Sequence, residues 1–312
     1  MSNKDFTIKV IMDNFFNFII NPTSKDGLSL VSRIESILDA KGIRHDIFVC
    51  HEKSDAKEAL IKICSNDNFP NVIAVGGDGT FNNVINSIPD FDKVNVGFIP
   101  AGTGNDFAQA LGISHDPITA IDDILANNIR NIDLINVAGK ICLNVTATGL
   151  DIEVLRTYNK MKHFKGKIKY NLALIKTLLC FGSYKANIKI DGKEMQKDAF
   201  LVAAGNAKYF GGGMMVTPHG EIDDGKISVT IINKLAKIKI PFVLLKFMKG
   251  KHDKIRKYCE SYLCDEFEVI LPEEEVPAVN IDGEIFENHP FLCKVLPRKL
   301  HMFMPRTFIE KT

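Results

Sequence analysis

Asn71-Val72-Ile73-Ala74-Val75-Gly76-Gly77-Asp78-Gly79-Thr80-Phe81-Asn82-Asn83-Val84-Ile85-Asn86 is the stretch that decides how this chain is read. The apolar run Val72 to Val75 predicts a buried strand, and Thr80 to Asn86 predicts the start of a helix. Three glycines, an aspartate and a threonine lie between them. Glycine adopts backbone conformations closed to other residues and lets a polyanion approach the main chain. A helix N-terminus just behind such a turn supplies N–H groups and the positive end of a dipole. The stretch is therefore expected to bind phosphate, with Asp78 facing a metal ion or a ribose. A tight turn without a ligand is the competing reading, but two adjacent glycines plus Asp-Gly-Thr are more than a turn needs.

Working outward, Phe15 to Ile20 runs directly into Asn21-Pro22-Thr23-Ser24 and predicts the first core strand, ahead of the other short apolar run, Thr7 to Met12. Leu30, Val31, Ile34, Ile37 and Leu38 recur at helical spacing, with Gly42 placed as a C-cap. Asp46 to Cys50 predicts a strand, and Ser54 an N-cap for a helix that buries Ala59, Leu60 and Ile63. Beyond the central loop, Val94 to Ile99 predicts another strand, followed by Pro100-Ala101-Gly102-Thr103-Gly104-Asn105-Asp106 and a helix to about Leu111. Strands alternating with helices imply a parallel sheet with helices on its faces. Ligands bind such sheets outside the C-terminal strand ends. Three loops fall there: Asn21 to Lys25, Gly76 to Thr80, and Gly102 to Asp106.

Near Ile132 the pattern changes. Ile141–Thr146, Lys185–Ile190, Ala199–Ala204, Lys226–Ile232, Phe267–Leu271 and Leu292–Leu296 read as strands, with turns at Asp191-Gly192, Asp224-Gly225 and Asp282-Gly283. They predict an antiparallel β-sandwich or barrel-like second domain. The expected division is 1–132 and 133–312, with the final residues free to return to the first domain. Two basic, apolar stretches, Lys165–Cys180 and Lys234–Tyr262, read as helical interruptions.

Bulk properties narrow the class. The 312 residues are 46% hydrophobic and 25% charged, and a formal net charge of +1 gives no global reason to expect nucleic acid. No apolar run is long enough to span a bilayer. The start Met1-Ser2-Asn3-Lys4-Asp5 lacks the layout of a secretory signal. The seven cysteines form no Cys-x-x-Cys pair, which argues against zinc and a disulfide framework. Cys50, Cys64, Cys142, Cys180 and Cys293 are expected as reduced core residues of a cytoplasmic protein.

The motifs Asn21-Pro22-Thr23-Ser24, Gly76 to Asn82, and Pro100 to Phe107 stand in order with Gly205-Asn206, Gly211-Gly212-Gly213, Pro218, Asp223-Asp224-Gly225 and Ile281-Asp282-Gly283-Glu284. On them, nearly the whole chain resembles the diacylglycerol kinase-type lipid kinases, in particular the bacterial soluble members. The resemblance implies a Rossmann-like α/β nucleotide-binding domain, a C-terminal β-sandwich and an active site in the cleft between them. It implies ATP as donor and a lipid hydroxyl as acceptor, foremost diacylglycerol giving phosphatidic acid. Asn21, Pro22, Thr23, Ser24, Lys25, the loop Gly76, Gly77, Asp78, Gly79, Thr80, Phe81 and Asn82, and Thr103 would contact the nucleotide. His51 occupies a position where relatives carry a hydroxyl residue, and Lys25-Asp26-Gly27 departs from the glycine usual after the serine.

Phosphoryl transfer asks mainly for positioning and charge stabilisation. Asp78 and Asp106 sit in glycine-rich loops on one sheet edge and are suited to Mg²⁺, which takes oxygen ligands and retains water; capping its helix is the competing role for Asp106, and the two are compatible. A general base is needed for the acceptor hydroxyl. By the resemblance Asp282-Gly283-Glu284 carries it. On an extended chain the two side chains would share a face, with Glu284 favoured as acceptor and Asp282 in support. The resemblance also implies a second, structural metal site at Asp224 with main-chain oxygens near Glu221 and Lys226; a plain Asp-Gly turn reads equally well. The two basic stretches suit transient contact with a membrane surface. A sphingoid or ceramide acceptor, and more distantly NAD, are the alternatives. Oligomeric state is open, a homodimer included.

Overall fold

β1 (Phe15–Ile20), β2 (Arg44–Val49), β3 (Asn71–Gly76) and β4 (Asn95–Pro100) pair in parallel in the order β2-β1-β3-β4. The structure, a computed structural model, describes residues 15–22, 27–66, 69–162, 166–211, 213–248, 250–271 and 278–308. Thr7 to Met12, Thr23, Ser24 and Lys25 lie outside the described residues. Successive strand side chains point to opposite faces, and both faces here are apolar. Ile19, Val72, Ala74, Val96 and Phe98 face one core. Phe16, Phe18, Ile20, Ile73, Val75 and Ile99 face the other. The helices α1 (Gly27–Ala40) and α5 (Pro117–Leu125) cover the second face through Ile34, Leu38, Ile121 and Ile124. The first is covered by α2 (Lys53–Asn66), α3 (Asp78–Asn86) and α4 (Asp106–Leu111), which bury Leu60, Val84, Ile85 and Leu111.

Gly42, at φ +64°, follows α1 as expected. Ser54 is not the cap of α2. The helix opens at Lys53, and the Asp55 carboxylate accepts from the amides of His51 (2.9 Å) and Glu52 (3.0 Å). A carboxylate accepts two such bonds at once, so it takes the place a single hydroxyl would have held.

The second half comprises β5 (Ile129–Val137), β6 (Lys140–Cys142), β7 (Val145–Gly149), α6 (Leu150–Lys160), α7 (Gly166–Cys180), β8 (Tyr184–Ile190), β9 (Lys193–Gly205), β10 (Tyr209–Phe210), β11 (Met214–Met215), β12 (Ile227–Asn233), α8 (Ile240–Met248), β13 (Cys259–Cys264), β14 (Glu266–Ile270), β15 (Ala278–Ile281), β16 (Glu284–Glu287) and β17 (Phe291–Phe303). Its strands run β16-β15-β7-β9-β8-β14-β17, with β12 and β13 branching from β9 and β5 from β17. Residue 132 lies within β5. β17 also pairs in parallel with β4, His301 opposite Asn95 and Met302 opposite Val96, so one continuous sheet runs through both halves.

Two expectations need correction here. The stretch Lys234–Tyr262 is α-helical only over α8, with short 3-10 turns at Lys237–Lys239 and His252–Lys254. Gly250 turns the chain at φ +61° and Cys259–Cys264 pairs with β12 as a strand. α6 was not foreseen because Leu150, Ile152 and Val154 alternate as a strand would. As a helix it buries Leu150, Asp151, Ile152 and Val154 together. All seven cysteines are free thiols, but Cys180 is exposed and Cys64 half-buried rather than core.

Candidate active site

The central loop is held against its neighbour by backbone contact. The amide of Ala101 donates to the Gly76 carbonyl at 2.7 Å. A Cβ on Gly102 would stand 2.5 Å from the Gly77 Cα and 2.7 Å from Asn105 Oδ1. Gly102 therefore leaves no room for a side chain, while a Cβ on Gly77 would meet the Gly102 Cα at 3.3 Å, a tight contact. Asn105, at φ +53°, locks the second loop: its Nδ2 donates to the Gly102 carbonyl (2.9 Å) and its Oδ1 accepts from the Gly102 amide (3.1 Å). Gly79 differs, because a Cβ there would meet open space.

α3 begins at Asp78, two residues before the predicted start, and its N-cap Gly77 offers no side-chain cap. Asp78 instead reaches across to α4. Its Oδ2 accepts from the Asp106 amide (3.1 Å) and its Oδ1 from the Phe107 amide (3.2 Å). The carboxylate therefore neutralises the start of the next helix. Phe81, expected at the nucleotide, is fully buried, its ring stacked 4.4 Å from Phe98 and 5.5 Å from Phe107. It fastens the loop to the core.

Asp282 and Glu284 do not share a face. Asp282 (φ +48°) and Gly283 (φ +94°) form the tight turn between β15 and β16, which parts the flanking side chains. Asp282 faces inward and accepts five bonds. Three come from the amides of Leu143 (2.7 Å), Asn144 (2.9 Å) and Val145 (3.1 Å), one from Asn82 Nδ2 (2.7 Å) and one from the Cys142 thiol (3.3 Å). Desolvation pushes its carboxyl above the usual carboxylate range, opposed by those donors. Desolvation and the adjacent Asp282 also push the Cys142 thiol well up. Glu284 points elsewhere, into an ion pair with Lys53 at the start of α2. Lys53 had no place in the sequence reading; an exposed lysine two residues past His51 carries no signal until the halves meet.

Asp78, Asn82 and Asp106 line one cavity with Asn144, Asp282, Tyr170 and Phe210. Tyr170 and Phe210 also wall a second cavity, whose other sides include Leu150, Val154, Leu174, Phe200, Val243 and Phe247. A carboxylate-lined pocket thus adjoins an apolar one through a tyrosine and a phenylalanine. Asn82 further borders a third hollow, which holds Lys53, Lys140 and Glu284.

The remaining expected contacts are placed as follows. Asn21 lies beside the end of β3, its amide donating to the Val75 carbonyl at 3.1 Å, and Pro22 follows in a turn. His51 and Thr103 are exposed at the same edge, with Gly76 buried and Thr80 half-buried. Asp224 accepts from the Lys226 amide (2.9 Å), and the Lys226 ammonium pairs with Asp265 (2.6 Å). Burial, with Asp133, Glu221 and Asp223 nearby, raises the Asp224 carboxyl. Among the described residues no three His, Cys, Asp or Glu side chains form a group fit for a metal ion. Asp224 closes its own turn through the Lys226 amide.

Comparison with known proteins agrees with this architecture. Residues 16–137 match the diacylglycerol kinase catalytic domain, and residues 144–304 match the YegS C-terminal NAD kinase beta sandwich-like domain. A diacylglycerol kinase of Bacillus subtilis (strain 168) is 30% identical over 263 residues, covering 82% of this chain and 83% of that one. A crystal structure of a diacylglycerol kinase from Bacillus anthracis str. Sterne superposes with TM-score 0.70 at 18% identity over 95% and 98% of the two chains. An NAD kinase from Archaeoglobus fulgidus, solved in complex with ATP, shares the fold at TM-score 0.52 and 13% identity over 93% and 94%. With both halves matched in order and the glycine loops and carboxylates at one cleft, this chain belongs to the diacylglycerol kinase family of lipid kinases.

Proposed function

We propose that the chain transfers the γ-phosphoryl group of ATP to a lipid hydroxyl, with diacylglycerol as acceptor and phosphatidic acid as product. One observation carries this reading: the pocket of Asp78, Asp106 and Asp282 adjoins the apolar cavity through Tyr170 and Phe210. Such a pair of spaces fits a molecule with a hydroxyl at one end and acyl chains behind it. A dinucleotide acceptor such as NAD would desolvate its polar groups against Leu174, Phe200 and Phe247.

The N–H groups opening α3 would bind the phosphates, and open space at Gly79 leaves them accessible. Asp78 and Asp106 present only oxygen donors, which fits Mg²⁺ held through water. Bound there, the ion would offset charge on the transferring phosphates. Both oxygens of Asp282 already accept hydrogen bonds, so its part is to hold the turn rigid. Glu284, in the adjoining hollow that Asn82 shares with the pocket, keeps accessible lone pairs and takes the proton from an acceptor hydroxyl presented toward it. Lys53 holds that carboxylate at the cleft from the opposite half.

The same reading places the enzyme on an anionic bilayer. On α7, Ile168, Leu172, Ile175 and Leu179 form an exposed stripe, continued by Ile238, Phe242 and Leu245. Lys237 Nζ donates to the Leu179 carbonyl at 2.7 Å and joins the two segments. Residues 166–180 and 234–251 contain lysines and no acidic residue. The opposite faces of these helices line the apolar cavity through Leu174, Leu178, Ile240 and Val243. Apolar insertion and lysine attraction then act together.

Labelled ATP offered with diacylglycerol, sphingosine, ceramide, phosphatidylglycerol and NAD tests the reading. Label in phosphatidic acid is the expected result. Transfer to NAD alone, or to nothing, overturns it.

A further inference from the structure

The apolar cavity contains one carboxyl group that the chemistry above does not use. Asp151, in the first turn of α6, is 5% exposed and faces a space otherwise walled by aliphatic and aromatic side chains. It accepts one hydrogen bond, from Asn280 Nδ2 at 2.6 Å. Asn280 is fully buried on β15, and its Oδ1 accepts from the Gly283 amide at 2.8 Å. The Asn280 main chain is held in turn by the Thr146 hydroxyl (2.7 Å). Asp151 is thereby fixed by the same strand that carries the Asp282–Gly283 turn, one residue short of Glu284. A carboxyl placed among hydrocarbon without a cation is held in its neutral form. A neutral carboxyl has an O–H to donate, and Asn280 already occupies an accepting site.

We propose that Asp151, as a neutral acid, donates a hydrogen bond to an ester carbonyl of the lipid acceptor and so selects acylated glycerols. The inference rests on the lipid-kinase reading and names the polar feature the cavity demands. The cavity's other walls bury acyl chains without discriminating among them, because apolar contacts are non-directional. A buried donor, by contrast, rejects a ligand that leaves it unpaired. The location suits the task. Tyr170 stands between Asp151 and the carboxylate pocket, and an ester group lies a few bonds from the acceptor hydroxyl of a diacylglycerol.

Protonation agrees with this placement. Burial pushes the Asp151 carboxyl up to about 7, partly opposed by the Asn280 amide. Lining the cavity with it, Tyr170 is the other titratable group among the described residues. Its phenol is pushed far above its ordinary value by desolvation, with Asp151 and Asp106 adding to the effect. Filling the cavity with acyl chain removes water from Asp151 and favours the neutral form further.

The test compares a dioleoylglycerol with its dialkyl ether, which lacks both carbonyls, in mixed micelles. The wild-type enzyme is expected to show a KM about tenfold lower for the ester below neutrality, with the preference shrinking as pH rises past about 7. Asp151→Ala is expected to bring the two KM values together, leaving the KM for ATP unchanged. Asp151→Asn keeps a permanent N–H donor and is expected to hold the ester preference at every pH. Thermal midpoints of both variants establish that they fold. An ester-to-ether ratio unmoved by Asp151→Ala overturns the assignment. So does a KM for the ester that falls as pH rises, which would mark the ionised carboxylate rather than the neutral acid as the binding form. Failure of the lipid-kinase reading looks different: neither glycerol is phosphorylated at all.

Discussion

Asn82 Nδ2 donates to Asp282 Oδ2 at 2.7 Å, one residue behind the glycine loop and the other on the opposite half of the chain. The bond ties helix α3 directly to the turn that precedes Glu284. Asn82→Ala removes one donor from a desolvated carboxylate and is expected to cost about 1–3 kcal/mol, with a fall in kcat as the turn loosens. Asn82→Asp sets two carboxylates in contact and is expected to cost more, with partial recovery on acidification. Urea denaturation alongside kcat checks both; unchanged stability in Asn82→Asp would refute the contact.

Glu284 and Asp282 are expected to fail differently. Glu284→Gln should lower kcat by roughly 10²–10⁴ while leaving the fold and ATP binding intact, since the Lys53 pair is solvent-exposed and contributes under about 1 kcal/mol. Asp282→Asn turns a donor toward either the Leu143 amide and Asn82 Nδ2 or the Asn144 and Val145 amides, and is expected to destabilise by on the order of 3 kcal/mol. Melting curves and nucleotide titrations separate the two patterns. Full turnover in Glu284→Gln would remove it as the proton acceptor.

The loop glycines divide by what surrounds them. In Gly102→Ala the new methyl meets the Gly77 Cα, so backbone must move and both stability and ATP affinity are expected to drop. Gly79→Ala meets no protein atom. Its melting temperature is expected to stay close to wild type while ATP binding weakens, because the methyl enters the space left for phosphate. Calorimetric titration with ATP resolves these outcomes.

Asp151 makes stability depend on pH. Its folded value of about 7 exceeds its unfolded value of 3.8, so the native state binds more protons between them. Stability contributed by this group is present in full below the unfolded value and is lost as pH rises through the folded one, at no more than about 1.4 kcal/mol per pH unit. Asp151→Asn is expected to remove that slope. Unfolding free energies across the window, for both proteins, give the comparison; parallel curves would contradict it.

Bilayer contact is expected to depend on the exposed stripe of α7. Ile175→Ser with Leu179→Ser should weaken sedimentation with anionic vesicles by about tenfold or more, while activity on micellar substrate persists. Reversal at Lys176 or Lys239 should cost about 1 kcal/mol each and make binding less sensitive to salt. Equal binding of wild type and double variant to phosphatidylglycerol vesicles would exclude this face.

The parallel sheet was legible because β1, β3 and β4 are apolar on both faces and run into polar or glycine-rich loops, while β2, Arg44–Val49, is half-exposed at the sheet edge. The carboxylate pocket was legible as loops, since Asp78, Asp106 and Asp282 each sit in a glycine-bearing turn. The partition of roles was not. Whether Asp282 faces in or out depends on a left-handed turn, which an extended-chain reading of residues 282–284 cannot supply. Lys53 and Asn280 were missed because their partners lie 231 and 129 residues away. α6 was missed because local alternation outweighed a helical period only tertiary burial reveals.

β17 gives the order of synthesis a structural meaning. β4 has β3 on one side, and its other edge is closed at His301 and Met302. While the chain is being made, the N-terminal sheet can assemble its four parallel strands yet keeps an open edge until almost the whole sequence has emerged. Unpaired edges recruit other chains, and contacts this distant in sequence form slowly. Nascent chains stalled before residue 291 should therefore display an N-terminal half whose β4 edge is available to chaperones or to other copies of itself.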